Sequence, residues 1–139
     1  MTRGFLFRRK LIFLLIFNLV FPFHVFALPQ GGEVIHGEVA ISTPDTSRMT
    51  INQQTDKAII NWSRFSIAQP ETVQFNQPGQ SSIALNRVTG VDPSIIHGSL
   101  SANGRVFVIN PNGLMVGPTG KINVNSFYHG DVIKRNLKS

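Results

Sequence analysis

The side chains able to do acid–base or metal chemistry are few and widely separated in this 139-residue sequence. His36, His97 and His129 are isolated, and no two of them have the short spacing that brings two imidazoles to one metal ion. Cysteine is absent, which excludes disulfides and thiolate metal sites. We therefore predict no catalytic centre, cofactor site or metal site, and a protein that is not an enzyme. The carboxylates examined for pairing occur singly in turn contexts: Asp45, Asp56, Glu71 and Asp92.

The tetrapeptide Asn110-Pro111-Asn112-Gly113 stands between two apolar segments and has a clear conformational chemistry. Proline presets φ for the second position of a β-turn, while asparagine favours the first position and glycine the fourth. Because a residue before proline avoids the α region, Asn110 must end the preceding strand in an extended conformation. We predict a type I turn at a corner of the fold. Direct contact with a partner is a second role, compatible with the first.

Trp62 is the only tryptophan, and Phe65 lies close to it in an apolar segment. The large apolar area of these rings favours packing, so we predict that they form the core of a cap over the first layer of the fold. Ligand stacking by Trp62 is the less favoured alternative. The sequence Asn61-Trp62-Ser63 also matches an N-glycosylation pattern, which we interpret as chance because packing needs Trp62.

The elements that position these residues are predicted to be short β-strands. After residue 28, short apolar stretches alternate with Gly, Pro, Asn, Asp and Ser, and none has the i, i+3, i+4, i+7 spacing of a capped amphipathic helix. An all-β fold with little helix follows. The predicted strands span residues 33–41, 49–53, 58–62, 73–75, 82–88, 94–100, 105–110, 114–116 and 121–124.

The second half of the chain repeats one plan, a short apolar core followed by a corner rich in Gly or Asn. This plan favours a parallel β-solenoid, in which each coil buries its apolar residues on the next. A β-sandwich is the alternative, but paired two-residue hairpin turns are scarce after residue 28. Three pairs of apolar residues each share one strand face: Ile83/Leu85, Val106/Val108 and Ile122/Val124.

The N-terminal segment has the pattern of a secretory signal peptide. Four basic residues within the first ten precede an apolar run, and Val25-Phe26-Ala27 places small residues at the −3 and −1 positions of a cleavage site. We predict a helical signal peptide over residues 1–27, cleaved after Ala27. An uncleaved membrane anchor over residues 11–28 is the alternative.

From Leu28 onward nine Lys and Arg face seven Asp and Glu, so no basic stripe points to nucleic acid.

Five segments, in this order and at this spacing, resemble the N-terminal secretion domain, or haemagglutination activity domain, of two-partner-secreted exoproteins. These are the filamentous-haemagglutinin-like adhesins and haemolysins of Gram-negative bacteria. The resemblance covers residues 28–127, nearly all of the chain after the predicted leader. The segments are AIINWSRFSI (58–67), FNQP (75–78), SSIALNRVTG (81–90), PSIIHGSLSANGRVFVINPNGLMVG (93–117) and KINVNSF (121–127).

The resemblance implies a right-handed parallel β-helix with an N-terminal cap of strands. It also implies a secretion-targeting module that leaves the cytoplasm through the Sec machinery and enters the periplasm. There an outer-membrane Omp85-like transporter with periplasmic POTRA domains recognises it. The product is then extracellular or associated with the cell surface, while a large passenger region C-terminal to the domain does the adhesion. The resemblance names no host receptor or glycan.

The resemblance also bears on the role of individual residues. It makes the tetrapeptide 110–113 a candidate secretion motif. Asn86 and Arg87 end the predicted strand 82–88, where we expect an exposed corner asparagine beside a solvated arginine. The resemblance makes this pair candidates for coil stacking or for recognition by the transporter.

The last twelve residues depart from the family pattern. After Phe127 the family continues with a segment of the GLIAST kind and a long repetitive passenger, whereas here a divergent basic tail is predicted over residues 128–139. This departure suggests a truncated or frame-disrupted copy, or a fragment of a longer gene. It also motivates the hypothesis of a non-functional remnant. A hypothesis of a different class is a small carbohydrate-binding or carbohydrate-cleaving β-solenoid.

Overall fold

The computed structural model describes residues 27–130. The predicted signal peptide up to Phe26 and residues 131–139 of the predicted tail lie outside the described residues. Between residues 27 and 130 every regular element is a β-strand, which confirms the all-β class. The strands are β1 (Glu33–His36), β2 (Val39–Asp45), β3 (Arg48–Gln53), β4 (Lys57–Trp62), β5 (Thr72–Asn76), β6 (Ile83–Val88), β7 (Ser94–Ile96), β8 (Ser99–Ala102), β9 (Arg105–Ile109), β10 (Leu114–Val116), β11 (Lys121–Asn123) and β12 (Ser126–Gly130).

Two five-stranded sheets form the main walls of a parallel β-solenoid. The first sheet has the order β1-β4-β6-β9-β12 and the second has the order β11-β8-β5-β3-β2, while β10 and β7 form a third, two-stranded sheet. From β3 onward all neighbouring strands pair in parallel, because each turn of the chain adds one strand to each wall. The β-helical prediction is confirmed, and the sandwich alternative is wrong.

The strands β1 and β2 form the N-terminal cap. They pair antiparallel, β1 with β4 and β2 with β3, and so cover the first strand of each wall. Residues 33–41 were predicted as one strand, but the chain breaks at Gly37 and passes from one wall to the other. Gly37 has a φ of +87°, and a Cβ there would meet the carbonyl oxygen of Lys57 and the hydroxyl of Thr55. Only glycine fits this crossing without strain.

The core is a stack of inward-facing side chains in register from coil to coil. Ile60 of β4, Asn86 of β6 and Val108 of β9 occupy one such row, and all three are fully buried. Burial of each aliphatic side chain in the stack contributes roughly 1.5–3 kcal/mol. The other large buried apolar side chains are Met49, Ile51, Trp62, Phe65, Ile67, Val73, Phe75, Val88, Ile96, Leu100 and Val106.

Two expectations need correction at this level. Ile83 and Leu85 share one strand face as predicted, but that face points outward, since Ala84, Asn86 and Val88 are the buried residues of β6. The predicted tail was to begin at residue 128, yet β12 continues to Gly130. It pairs in parallel with β9, so the main chain there is held by the preceding coil.

Candidate functional site

The side-chain amide of Asn86 lies inside the solenoid, so the expectation of an exposed corner asparagine is wrong. Its oxygen accepts a hydrogen bond of 2.9 Å from Nε1 of Trp62, and its nitrogen donates one of 3.2 Å to the carbonyl of Phe107. These partners belong to the coils on either side, β4 and β9. A buried amide is stable only when its polar atoms are paired, as they are here. Asn86 therefore links three successive coils by hydrogen bonds.

Trp62 and Phe65 lie where the cap meets the first coil. Their rings meet edge to face, with centroids 5.6 Å apart, and each residue is 1% exposed. A Cβ on Gly32, in the segment that leads into β1, would lie 2.7 Å from the Trp62 ring. The cap is therefore in direct contact with the indole, and the glycine makes this close approach possible.

The tetrapeptide at 110–113 forms a β-turn at a corner of the third coil. The N–H of Gly113 donates to the carbonyl of Asn110 at 3.0 Å, which closes the four-residue turn. Within the described residues positive φ is confined to glycines, so Asn112 has the negative φ that a type I turn requires. The predicted turn is confirmed. Its role as a secretion motif stays a prediction.

The side chain of Asn110 ties this corner to the neighbouring segment. It is 1% exposed, donates to the carbonyl of Asp92 at 3.0 Å and to the hydroxyl of Ser94 at 2.9 Å, and accepts from the N–H of Asn112 at 2.9 Å. Asn112 is exposed and reaches the carbonyl of Gly90 at 2.8 Å. The two asparagines thus fix one corner from inside and from outside.

Two of the predicted site residues, Arg87 and Pro111, line the same open groove on the outer surface of the first wall. Arg87 follows Asn86 in β6, so its side chain points to the opposite face of the sheet. The guanidinium donates to the side-chain oxygen of Asn61 at 2.9 Å, across the β4–β6 pair. The remaining lining residues are Asn61, Leu85, Val88, Thr89 and Ile109.

A row of apolar side chains continues from this groove across the outer face of the same wall. Four residues occupy equivalent positions of β4, β6, β9 and β12: Ile59, Leu85, Phe107 and Tyr128. We call them the outer ladder. All four are half-buried, and the Phe107 and Tyr128 rings stack with centroids 4.5 Å apart. This set was not predicted from the sequence, although strict alternation in IALNRV and RVFVI assigns these residues to one face.

The outward face of the second wall has the opposite character. Its central strands present short polar side chains, and Asn76 donates a hydrogen bond of 2.8 Å to Asn52 across the β3–β5 pair. Gln74 donates to Asn76 at 3.1 Å along the same surface. The two main walls therefore differ in what they offer to a partner, amides on one side and apolar side chains on the other.

The residues first considered for chemistry do not form a cluster. Within residues 27–130 no group of three or more His, Cys, Asp or Glu side chains is placed to hold a metal ion. Asp92 pairs with Arg64 at 3.5 Å at the surface, and Glu71 is buried elsewhere. No helix of the described part is long and apolar enough to cross a membrane.

The corners and walls described above all lie within one region that is similar to known proteins. The family model described as the TPS secretion domain matches residues 25–130, and so takes in the cap and every coil. The chain belongs to the TPS secretion domain family. Its fold is similar to that of the HMW1 secretion domain from Haemophilus influenzae, with a TM-score of 0.69 and 42% identity. That alignment covers 73% of this chain and 27% of the other.

Two curated relatives of this TPS secretion domain are heme/hemopexin-binding proteins of Haemophilus influenzae. One is 45% identical over 101 residues and the other 43% identical over 96 residues. These matches cover 73% and 69% of this chain but 11% and 10% of the relatives. The chain therefore corresponds to the secretion domain of much longer proteins. These similarities do not favour the remnant or the carbohydrate-binding hypothesis.

Proposed function

We propose that this TPS secretion domain targets an exoprotein for secretion and acts by protein–protein recognition, without catalysis. Its partner is an outer-membrane transporter of the Omp85-like class, whose periplasmic POTRA domains receive the chain. The observation that carries the proposal is the family match over residues 25–130, which includes the corner at 110–113 and both walls. The attached exoprotein would supply any adhesive or ligand-binding activity.

The route follows from the N-terminal pattern. The basic and apolar leader directs the chain to the Sec machinery, cleavage after Ala27 frees it in the periplasm, and the transporter moves it to the cell surface or the medium. Folding of the β-solenoid outside the cell then opposes return through the pore, because stacked coils bury their apolar faces on each other.

The first wall is the surface that best fits a protein partner. Contiguous apolar side chains on the surface of a soluble domain mark interaction sites, and here the outer ladder continues into the groove beside Pro111. On the same outward face, Lys57 and Arg105 lie two residues before the ladder residues of β4 and β9. Arg87 lies two residues after Leu85, on the opposite border of the ladder. An apolar centre with basic borders fits a partner surface that is apolar at its centre and acidic at its rim.

Binding to the purified periplasmic domains of the transporter tests this assignment. The substitution Leu85→Glu places a charge in the centre of the outer ladder, while Gln74→Glu places the same charge on the polar second wall. We expect the first variant to bind at least about tenfold more weakly and the second to bind within about twofold of the wild type. Both variants should have the same urea unfolding midpoint as the wild type. Equal binding by the two folded variants would assign recognition to another surface.

A further inference from the structure

Among residues 27–130 the carboxylate of Glu71 is buried without a charged partner. Glu71 lies just before β5 and is 2% exposed. One of its oxygens accepts from the N–H of Ala68 at 2.7 Å, and the two oxygens lie 3.2 and 3.1 Å from the backbone nitrogen of Ala27. Among residues 27–130 the single ion pair is the one between Arg64 and Asp92. Burial of a carboxylate is costly unless a cation or several donors compensate it.

The main chain that reaches this carboxylate is the expected processing site. Hydrolysis of the peptide bond between Ala27 and Leu28 leaves a carboxylate on Ala27, which departs with the leader, and an α-ammonium on Leu28. Cleavage therefore removes one N–H donor from Glu71. It creates a positively charged group with three N–H donors one residue further along.

The new N-terminus is held in place by its neighbours. Leu28 packs against the hydrophobic core, and Pro29 is buried. Gln30 exchanges backbone hydrogen bonds with the segment after β4: its N–H donates to the carbonyl of Arg64 at 2.9 Å, and its carbonyl accepts from the N–H of Ser63 at 2.9 Å. The α-ammonium of Leu28 therefore forms within one residue of the Glu71 carboxylate and cannot move far from it.

We propose that Glu71 is a buried binding site for the α-ammonium of the processed N-terminus, so that removal of the leader completes the cap. The inference rests on the proposed secretory route in one respect, cleavage after Ala27. In the described part of the chain no other charged group accounts for the site. The ring of His97, in the neighbouring coil, lies against Gly117, and the remaining described donor to Glu71 is the uncharged N–H of Ala68.

The test is an NMR titration of the α-amine in the processed chain, after export to the periplasm and mass determination of its N-terminus. An α-amine normally titrates at about 7.7–8.0, and an adjacent buried carboxylate raises its pKa. We expect a pKa at least about one unit above that range in the wild type and an ordinary value in Glu71→Gln. In Glu33→Gln, which neutralises an exposed carboxylate of β1, the pKa should stay raised.

Stability gives a second readout with a defined sign. A pKa raised by folding stabilises the native state fully below the unfolded value, and this stabilisation is lost as pH rises through the folded value. The gap in urea midpoint between the wild type and Glu71→Gln should therefore narrow between about pH 7 and about pH 10. The gap between the wild type and Glu33→Gln should show no such trend.

An ordinary α-amine titration in the wild type would overturn the proposal, and this result needs no variant to fold. A mature mass that starts at a residue other than Leu28 would overturn it as well. Neither result bears on transporter binding, which is measured separately through Leu85→Glu. A chain that binds the transporter and has an ordinary α-amine refutes only the buried site.

Discussion

Nε1 of Trp62 donates a hydrogen bond of 2.9 Å to the side-chain oxygen of Asn86 in the buried interior of the solenoid. This bond connects the first coil, which the cap covers, with the second coil. The other side of the same amide bonds to the carbonyl of Phe107 in the third coil. One asparagine thus connects three of the four strands that carry the outer ladder on their opposite face.

Replacing Asn86 by leucine should destabilise the domain by about 1–3 kcal/mol, because the buried indole N–H is left without an acceptor. Urea unfolding of the processed chain, followed by the fluorescence of the single tryptophan, measures this cost. The matched control is Asn76→Leu at an exposed amide of β5, with an expected change within about 0.5 kcal/mol. Equal losses of unfolding free energy in the two variants would show that the buried amide stabilises the domain no more than an exposed one.

Replacing Asn110 by alanine should cost about 2 kcal/mol, because the carbonyl of Asp92 and the hydroxyl of Ser94 lose a buried donor. The exposed Asn112→Ala should cost clearly less, since water replaces its bonds. Thermal unfolding of the two variants side by side gives the comparison. A larger loss of thermal stability in Asn112→Ala than in Asn110→Ala would show that the exposed asparagine contributes more to the corner than the buried one.

Replacing Gly98 by alanine should be strongly unfavourable. A Cβ there would collide with the carbonyl oxygens of Ala68 and Glu71, both of which belong to the backbone. Overpacking of this kind costs about 1–3 kcal/mol or more. Gly79→Ala is the control, because a Cβ at Gly79 meets nothing within 4 Å. If both variants unfold at the same urea concentration, the backbone around Gly98 has room for a Cβ, contrary to the close contacts in the structure.

The pKa of Asp45 should lie below its ordinary value of 3.8, because the N–H and then the hydroxyl of Ser47 donate to its carboxylate. The substitution Ser47→Ala should raise this pKa without restoring it fully, since the N–H remains. A carboxyl group whose pKa is lower in the folded state stabilises the fold at pH values above its unfolded-state pKa. This stabilisation is lost as the pH falls through the folded-state pKa. A carboxyl NMR titration of both proteins measures the shift, and an unchanged pKa in Ser47→Ala would exclude the hydroxyl as a cause.

The sequence is sufficient for the class of fold because its signals are local. Short alternating segments, corner residues and the turn chemistry of Pro111 all act within a few residues, and each recurs in the structure. Strand boundaries are less certain where a glycine has a tertiary role, as at Gly37, whose crossing depends on Lys57 in another strand.

The candidate site was harder to predict because hydropathy gave the wrong inward face for β6. Ile83 and Leu85 are more apolar than Ala84 and Asn86, yet the latter pair is buried. Ala84 and Asn86 are both fully buried, and the amide of Asn86 is satisfied by Trp62, a partner 24 residues away in the sequence. Such a long-range hydrogen bond has no local signature, so neither the buried amide nor the outer ladder was recognised.

Export of a fused reporter tests the central claim most directly. Residues 1–130 are placed before a reporter passenger, and the fusion is expressed with and without the transporter. The account predicts reporter in the medium only when the transporter is present, loss of this export in Leu85→Glu, and normal export in Gln74→Glu. Reporter that remains in the periplasm beside a functional transporter, or that reaches the medium without one, would contradict secretion targeting by this domain.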